Sequence, residues 1–331
     1  MPSISRRLGW FLVGTSLLLH LFTVYCFARQ PDRFAAFTVV PIWLWGGCGL
    51  MLSSLAYYFL RASLSLILTA VWTITLLIGA DEARVLANFG KPAPLPGRAE
   101  PYGGKNVIRV ITLNSALFQY GNPAQDLAAW QPDIVLLQDV LPHQVRMIAD
   151  VLYDSHGDYR AVQTNGIVTR GKITQEIRNP NQRDQQASLV LPNGAKIEVV
   201  NVHLATAATD LRLWQRAAWV DHRNNRVVRQ RELALTQQVL EQTTNFPNTP
   251  TLFGGDFNAP ATDIVHRQLA LDFVDAFAAA GTGWGDTFQR RFPILRIDHL
   301  YATRHFTPVR CRAVTTRHSD HRMVVADFIM K

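Results

Sequence analysis

The chain contains little cysteine and lacks the short motifs of several common enzyme classes. Its three cysteines, Cys26, Cys48 and Cys311, are spread over 331 residues, so they form neither a zinc-binding spacing nor a disulfide framework. The sequence contains no Walker-type phosphate loop and no serine or cysteine nucleophile motif. These absences argue against nucleotide hydrolysis at a P-loop and against acyl transfer through a covalent intermediate.

Acidic residues are almost absent from the first quarter of the chain. Residues 1–80 carry five arginines and a single acid, Asp32, so they hold half of the net charge of +8. The other half is spread over the long remainder. The pI of 9.7 is therefore weak support for nucleic-acid binding.

Three long apolar segments fill this acid-poor quarter: Leu8–Ala28, Phe34–Leu60 and Ala62–Ala80. Each reaches the ~20 residues that a helix needs to cross a hydrocarbon core of ~30 Å. The first has no small-x-small cleavage site of a signal peptide, and two more apolar segments follow at once. We expect a three-helix transmembrane region over 1–80. The alternative is two spans, with one segment cleaved or lying in the interface.

The arginines near these segments give a divided signal for orientation. Arg6 and Arg7 favour a cytoplasmic N-terminus, whereas Arg29 and Arg33 in the first loop favour the opposite. With three spans and the N-terminus inside, the rest of the chain lies outside the cytoplasm. We therefore expect a multi-pass protein of the cell membrane with an extracytoplasmic catalytic domain.

Residues 81–106 are rich in proline and glycine, which is typical of a linker rather than of a core element. From residue 107 the chain alternates apolar strands with amphipathic helices. The predicted organisation is a transmembrane region (1–80), a linker (81–106) and a soluble α/β domain (107–331).

Polar side chains recur where the apolar strands of this domain end. The stretch GGDFNAP at 254–260 follows one strand; by itself it is also typical of a turn. The full set is Asn114, Asp139, His203, Asp256, Asn258, Asp298, Asp320 and His321. Carboxylate and amide oxygens are hard ligands suited to Mg²⁺ or Mn²⁺, and imidazoles donate to phosphate or move protons. Such a cluster favours hydrolysis of a phosphate ester.

The motifs TLNS, PDIVLLQD, NVHL, GGDFNA, RIDHLY and HSDHRMVVADF resemble those of the endonuclease/exonuclease/phosphatase superfamily, and they occur in family order. The resemblance covers about 107–331. It implies a four-layer αββα sandwich and a metal-dependent phosphoesterase.

The resemblance also implies roles for the clustered residues. The implied catalytic residues are His203, Asp256, Asn258, Asp298 and His321, with Asp298 and His321 forming an acid–imidazole dyad. The implied metal ligands are Asn114, Asp139 and Asp320, and the ion is Mg²⁺ or Mn²⁺. The family usually has Gln-Glu where this chain has Gln138-Asp139, and the shorter acid puts the metal's affinity and preference in doubt.

Basic residues outside the motifs are candidates for substrate binding. Arg170 follows a strand that resembles a family strand, and either phosphate binding or structural pairing suits it equally. A basic segment between the His203 and Asp256 strands predicts one helix face carrying Arg212, Arg216, Trp219, Arg223 and Arg226. This face suits anionic lipid headgroups or a nucleic-acid backbone, or it is simply solvated.

Three functions remain open from the sequence. The favoured one is a membrane-anchored phosphoesterase acting on a lipid-linked phosphate, with the bilayer and a phosphate-containing substrate as partners. The second is an extracytoplasmic nuclease acting on DNA or RNA. The third, a binding protein with a decayed site, is disfavoured because the polar set is intact.

Overall fold

The computed structural model describes residues 4–177, 183–206, 210 and 212–331. The chain divides into two compact units. One comprises Met1–Ala87 and Ala208–Arg226, and the other comprises Asn88–Ala207 and Val227–Lys331.

The first unit is helical. Its N-terminal helices are α1 Ile4–Arg29, α2 Ala35–Val39, α3 Ile42–Leu60, α4 Ser63–Gly79 and α5 Asp81–Arg84. Among the described residues, only α1 is by itself long and apolar enough to cross a membrane. The number reaches three only if two bent pairs of helices, with bends of 74° and 72°, each count as one span. The structure therefore gives one clear span where the sequence predicts three.

Proline explains the first bend. Pro41 follows Val40, whose φ of −71° and ψ of 127° are extended, because a proline disfavours helical geometry in the residue before it and lacks an N–H donor. The predicted segment Phe34–Leu60 is thus divided into α2 and α3.

Small and polar residues hold helices α1, α3 and α4 together. The Trp72 indole donates to Ser16 Oγ at 3.1 Å, and Ser16 donates to the Gly49 carbonyl at 3.2 Å. A Cβ on Gly49 would lie 2.0 Å from the Trp72 ring, so only glycine admits this contact. Close backbone approach at small residues and interhelical hydrogen bonds are typical of helices packed in lipid.

Within the described residues, the second unit forms two six-stranded mixed sheets. The strands are β1 Ile108–Asn114, β2 Ile134–Gln138, β3 Asp158–Val162, β4 Asn165–Thr169, β5 Lys172–Ile177, β6 Asp184–Val190, β7 Lys196–His203, β8 Thr251–Asp256, β9 Phe273–Asp275, β10 Asp298–Thr303, β11 Phe306–Thr315 and β12 Arg322–Met330. The first sheet has the order β11-β12-β1-β2-β4-β3, and the second has the order β5-β6-β7-β8-β10-β9.

Helices cover the outer face of each sheet. They are α6 Ala124–Ala128, α7 Pro142–Tyr153, α8 Arg216–Thr243 and α9 Ile264–Leu269, of which α8 begins in the first unit and continues in the second. A further helix, α10 Ala276–Ala280, contacts β9 and β10 of the second sheet and β11 of the first. Leu127 of α6 and Ile148 of α7 pack on Ile111 and Val135 of the first sheet. Leu233 of α8 and Leu269 of α9 pack in the same way on the second sheet. The predicted α/β sandwich is confirmed.

Part of the predicted linker is hydrogen-bonded to this sandwich. Asn88 Nδ2 donates to the Ala278 carbonyl at 3.3 Å, and Lys91 Nζ donates to the Ala279 carbonyl at 2.8 Å. Further along, the Leu95 carbonyl accepts from the buried Arg109 guanidinium at 2.8 Å. Asn88, Lys91 and Leu95 of this segment are therefore in hydrogen-bond contact with the sandwich.

The glycines before Asp256 allow close packing between neighbouring strands. A Cβ on Gly255, which has a φ of +137°, would lie 2.0 Å from the Val202 carbonyl oxygen of β7. A Cβ on Gly254 would lie 2.5 Å from Leu300 of β10. Because no larger residue fits, these glycines allow β8 to carry Asp256 between its two neighbours.

Candidate active site

Strand register sets three predicted catalytic residues side by side. Asp256 is the partner of His203 in the parallel pair β7–β8 and of Asp298 in the antiparallel pair β8–β10. Asp256 and Asp298 are 1% and 0% exposed, and His203 is also buried. One imidazole and two carboxylates therefore lie in a row at the end of the second sheet.

The first sheet brings Asn114 and Asp139 to the same place. Asn114 Nδ2 donates to Asp256 Oδ2 at 3.0 Å and to Asp139 Oδ2 at 3.2 Å. His203 lies between the two acids, with Nδ1 3.6 Å from Asp139 Oδ1 and Nε2 3.7 Å from Asp256 Oδ2. Asp139 adopts a φ of +45°, and its side chain is about a third exposed, so it lies at the solvent side of the cluster.

His321 completes the predicted dyad. Its Nδ1 lies 2.8 Å from Asp298 Oδ2, which leaves Nε2 as the ring atom that can reach a substrate. Burial alone would lower the pKa of this imidazole, but the charges of Asp298, Asp256 and Asp320 raise it to about 9. Asp320 itself is half-buried next to His321 in the chain, and its carbonyl accepts from the Arg290 N–H at 2.7 Å.

Asn258 holds the loop that follows Asp256. Its backbone N–H donates to Asp256 Oδ1 at 2.8 Å, and its Nδ2 donates to the Leu204 carbonyl at 3.0 Å. Its φ of +48° belongs to the left-handed region, which asparagine tolerates better than most residues. Burial and the neighbouring Asp298 raise the pKa of Asp256, against the opposing effect of His321 and His203.

The chemistry of this cluster fits a divalent cation. Asp298 Oδ1 is buried and has no hydrogen-bond partner among the described residues. One ligand atom each from Asp256, Asp298 and His321 lie within 4.8 Å of one another. A cation would supply the missing partner and relieve the repulsion between buried carboxylates. The Asn114 oxygen, by contrast, accepts from the Ala116 N–H at 2.9 Å.

A buried amide network below the site was not predicted. Gln138 Nε2 donates to Asn201 Oδ1 at 2.6 Å, and Asn201 Nδ2 donates to the Leu137 and Gly166 carbonyls at 2.9 and 3.0 Å. These bonds join the two sheets directly beneath Asp139 and His203. The available signal was Asn201 itself, because an amide inside the apolar run VVNVHL needs buried partners.

Arg170 does not lie in this cluster. Strand β4 is antiparallel to β2, so Thr169 pairs with Ile134 at the end of β2 that is remote from Gln138. The Arg170 guanidinium lies 3.3 Å from the Asp133 carboxylate and over the Tyr153 ring. Of the two roles that the sequence left open, structural pairing is the one observed.

The predicted basic face is only partly exposed, and all of its residues belong to the first unit. Arg216 and Arg223 are exposed, and Arg212 is exposed but forms a 2.9 Å ion pair with Asp210. Trp219 packs against the apolar cluster that contains Phe27 and Phe37. Arg226 is buried and donates to Thr38. The expectation that Trp219 and Arg226 form part of an open substrate-binding face is therefore corrected, because both pack inside the first unit.

Comparison with known proteins agrees with the geometry. Residues 88–321 match the profile of the Endonuclease/Exonuclease/phosphatase family. The chain belongs to this family. Members of the family are hydrolases of phosphoesters, and this chain is therefore a phosphoester hydrolase.

Solved structures share the fold. A family protein from Bacteroides thetaiotaomicron is 15% identical with a TM-score of 0.55, and the match covers 69% of this chain and 99% of that one. The mannosyl-6-phosphatase of the same organism is 16% identical with a TM-score of 0.52, covering 67% and 100%. The human Nocturnin catalytic domain with bound sulfate anion is 18% identical with a TM-score of 0.51, covering 68% and 94%. No curated protein matches the chain significantly.

Proposed function

We propose that this chain is a membrane-anchored, Mg²⁺- or Mn²⁺-dependent phosphoesterase that hydrolyses a lipid-linked phosphate. The proposed organisation is a multi-pass transmembrane region over 1–80, a connecting segment over 81–106 and an extracytoplasmic catalytic domain over 107–331. The observation that supports the chemistry best is the buried row of His203, Asp256 and Asp298 facing His321.

Asp256 and His321 take the central roles in this proposal. Asp256 is a buried carboxylate at the centre of the row, so it is placed to orient a water molecule for attack on phosphorus. His321 is fixed through Nδ1 by Asp298, so its Nε2 is placed to donate to a phosphate oxygen as negative charge develops there.

His203 and Asn258 supply further donors to the phosphate. The His203 ring reaches two carboxylates without a hydrogen bond to either, since the contacts are 3.6 and 3.7 Å. The second amide hydrogen of Asn258 makes a long hydrogen bond of 3.4 Å with Asp256 Oδ2. In this proposal the His203 ring and this amide hydrogen turn to phosphate oxygens when the substrate binds.

The donor set of Asp139, Asn114 and Asp320, next to the buried carboxylates, would hold the metal ion in this proposal. When bound, such an ion neutralises charge on the phosphate and lowers the pKa of water. Asn114 would ligate through its oxygen after giving up the bond from Ala116, whereas Asp139 is already open to solvent.

The preference for lipid rests on the first unit. Helix α1 is suited to a bilayer, and Arg216 and Arg223, which belong to the same unit, are exposed. Cationic side chains beside apolar helices favour anionic headgroups by about 1 kcal/mol each near a membrane surface.

The test uses the full chain in detergent with Mg²⁺ or Mn²⁺ and a panel of phosphatidic acid, a prenyl pyrophosphate and linear DNA. We expect hydrolysis of a lipid phosphate that EDTA abolishes and either metal restores. Fast, salt-sensitive DNA cleavage with lipid phosphates untouched would establish the nuclease instead. A reporter that folds only outside the cytoplasm, fused after Lys331, tests the orientation.

A further inference from the structure

A loop with an exposed aromatic tip is joined to the catalytic histidine. Phe288 forms an antiparallel bridge with His321, and the two ring centroids lie 4.9 Å apart. The neighbouring Arg322 N–H donates to the Thr287 carbonyl at 2.8 Å. The base of this loop therefore has a fixed position beside His321.

Hydrogen bonds close the loop above that base. Phe288 and Leu295 exchange backbone bonds of 3.0 and 3.2 Å, and the Trp284 indole donates to the Pro293 carbonyl at 2.8 Å. The Phe292 N–H donates to the Gln289 carbonyl at 3.1 Å. The tip is thus a tight turn, and it leaves the Phe292 side chain 76% exposed.

Arg290 joins the tip to the opposite side of the site. Its guanidinium donates to the Ser319 carbonyl at 2.8 Å and lies over the Tyr120 ring, 5.1 Å from the centroid. Tyr120 follows β1 in the segment after Asn114 and is 45% exposed. Because the Arg290 guanidinium bonds to backbone carbonyls and packs on an aromatic face, it holds the tip of the loop in position.

Two leucines flank Asp139 on this second side. The Leu117 N–H donates to the Asp139 carbonyl at 2.7 Å, and the Gln144 side chain donates to the Leu117 carbonyl and accepts from the Leu141 N–H. Both leucines are 39% exposed. Exposed Leu117 and Leu141 thus flank Asp139, and exposed Phe292 is carried by the loop whose base bridges to His321.

We propose that Leu117, Tyr120, Leu141 and Phe292, here called the apolar rim, bind the hydrocarbon chain attached to the phosphate at the catalytic cluster. The inference rests on the proposed function, since it identifies the part of the substrate beyond the phosphate. Exposed apolar groups clustered around a functional site mark binding surfaces. Two of the four are leucines, which have no ring to stack on a base, so an alkyl or prenyl chain fits better than a nucleic acid.

The test compares butyl phosphate with octyl phosphate as ligands of the full chain in one detergent, below the critical micelle concentration of each. Complete burial of each added CH₂ would tighten binding about fourfold. Because an open rim covers a chain only partly, we expect octyl phosphate to bind wild type about tenfold more tightly than butyl phosphate. Calorimetric titration measures this ratio without any need for turnover.

The decisive variant is Phe292→Ser, for which the octyl-to-butyl ratio should fall to about three or less. Leu271→Ser is the matched control, because Leu271 is 86% exposed beside β9, at the end of β10 remote from Asp298; its ratio should stay at the wild-type value. Partition into detergent affects all variants equally and cancels in the comparison.

An octyl-to-butyl binding ratio near one in wild type, or an unchanged ratio in Phe292→Ser, would contradict the proposal that the apolar rim binds the hydrocarbon chain. Tighter binding of oligothymidylate than of octyl phosphate, lost in Phe292→Ser, would likewise overturn it in favour of base stacking. Binding that depends on chain length, together with no hydrolysis of any lipid phosphate, would support the apolar rim and contradict the proposed function. The failure of one proposal is therefore distinguishable from the failure of the other.

Discussion

Two groups of buried histidines lie on opposite faces of strand β10 and show opposite electrostatics. On one face Asp298 bonds to His321, whose pKa rises to about 9 despite burial. On the other face His299 lies 4.2 Å from His266, ring to ring. There burial and His299 lower the pKa of His266 to about 3. Consecutive residues of one strand thus place an imidazole beside a carboxylate on one side and a pair of imidazoles on the other.

The difference lies in what each ring bonds to. His266 Nε2 donates to the Ala259 carbonyl at 3.1 Å, and its Nδ1 accepts from the Tyr301 hydroxyl at 2.7 Å. His299 accepts from Arg296 at 2.9 Å and donates to the Arg296 carbonyl. His299 also lies near a carboxylate, with Nδ1 3.7 Å from Asp275 Oδ2, but that acid is paired with the Arg296 guanidinium at 2.9 Å. His321 Nδ1, by contrast, lies 2.8 Å from Asp298 Oδ2, and the charge of that carboxylate raises the pKa of the imidazole.

The largest effect should follow from changing the charged face. We expect Asp256→Asn and His321→Gln each to lower kcat by at least about 10²-fold, while the thermal midpoint stays at or above the wild-type value for Asp256→Asn. Burial raises the pKa of Asp256, so a neutral amide removes a destabilised charge. Steady-state kinetics and thermal unfolding check this, with the exposed Asp272→Asn as control. Near-normal rates in folded variants would show that the family roles do not transfer.

Changing the face that carries His266 and His299 should cost stability instead. His266→Leu leaves the Ala259 carbonyl and the Tyr301 hydroxyl without their partner, so we expect a loss of about 2–4 kcal/mol in the free energy of unfolding. Because the folded-state pKa is depressed, the wild-type contribution is fully present above pH 6.5 and falls on acidification. Urea unfolding should therefore show a smaller deficit at pH 5 than at pH 8. A deficit that is independent of pH, or one equalled by the exposed control His143→Leu, would contradict this account.

A third buried acid, Asp184, also links a shifted pKa to stability, but here the stability is lost as the pH rises. Asp184 faces the Thr236 hydroxyl and the Glu232 carboxylate, and burial raises its pKa from 3.8 to about 6. The associated stability is present below about pH 4 and is lost as the pH rises through about 6. Asp184→Asn should therefore stabilise the protein by about 1–3 kcal/mol at pH 8 and have little effect at pH 4. Equal unfolding midpoints of wild type and Asp184→Asn at pH 8 would contradict this prediction.

The smallest effect should come from the far end of the sheet. Arg170→Ala removes a partly exposed ion pair with Asp133, so we expect a stability loss of about 1 kcal/mol or less and a kcat within twofold of wild type. A large fall in kcat would place Arg170 in the reaction after all.

The sequence was sufficient to predict those candidate site residues that follow a local pattern. Polar residues at strand ends are visible without any knowledge of the fold, and the register then brings His203, Asp256 and Asp298 together. It was insufficient where position depends on topology. Only the antiparallel pairing of β4 with β2 shows that Arg170 lies at the wrong end, and only the folded first unit shows that Arg226 binds Thr38, 188 residues away.

The His266 network was missed for a related reason. The segment VHRQL reads as an ordinary helix, and nothing local indicates that its histidine contacts Tyr301, 35 residues further along. Of the three predicted spans, only α1 is clear among the described residues, because hydropathy counts apolar residues without registering bends such as the one at Pro41.

The left-handed backbone at Asp139 and Asn258 has a consequence for protein engineering. Glycine adopts such φ values without strain, whereas other residues adopt them at a cost of order 1 kcal/mol or more. A thermostability screen that ignores turnover would therefore favour Asp139→Gly, whose side chain is about a third exposed, and would remove a proposed metal ligand while appearing to improve the protein. Asn258→Gly would instead lose the buried hydrogen bond to the Leu204 carbonyl, so libraries built on this scaffold need an activity selection at Asp139 from the first round.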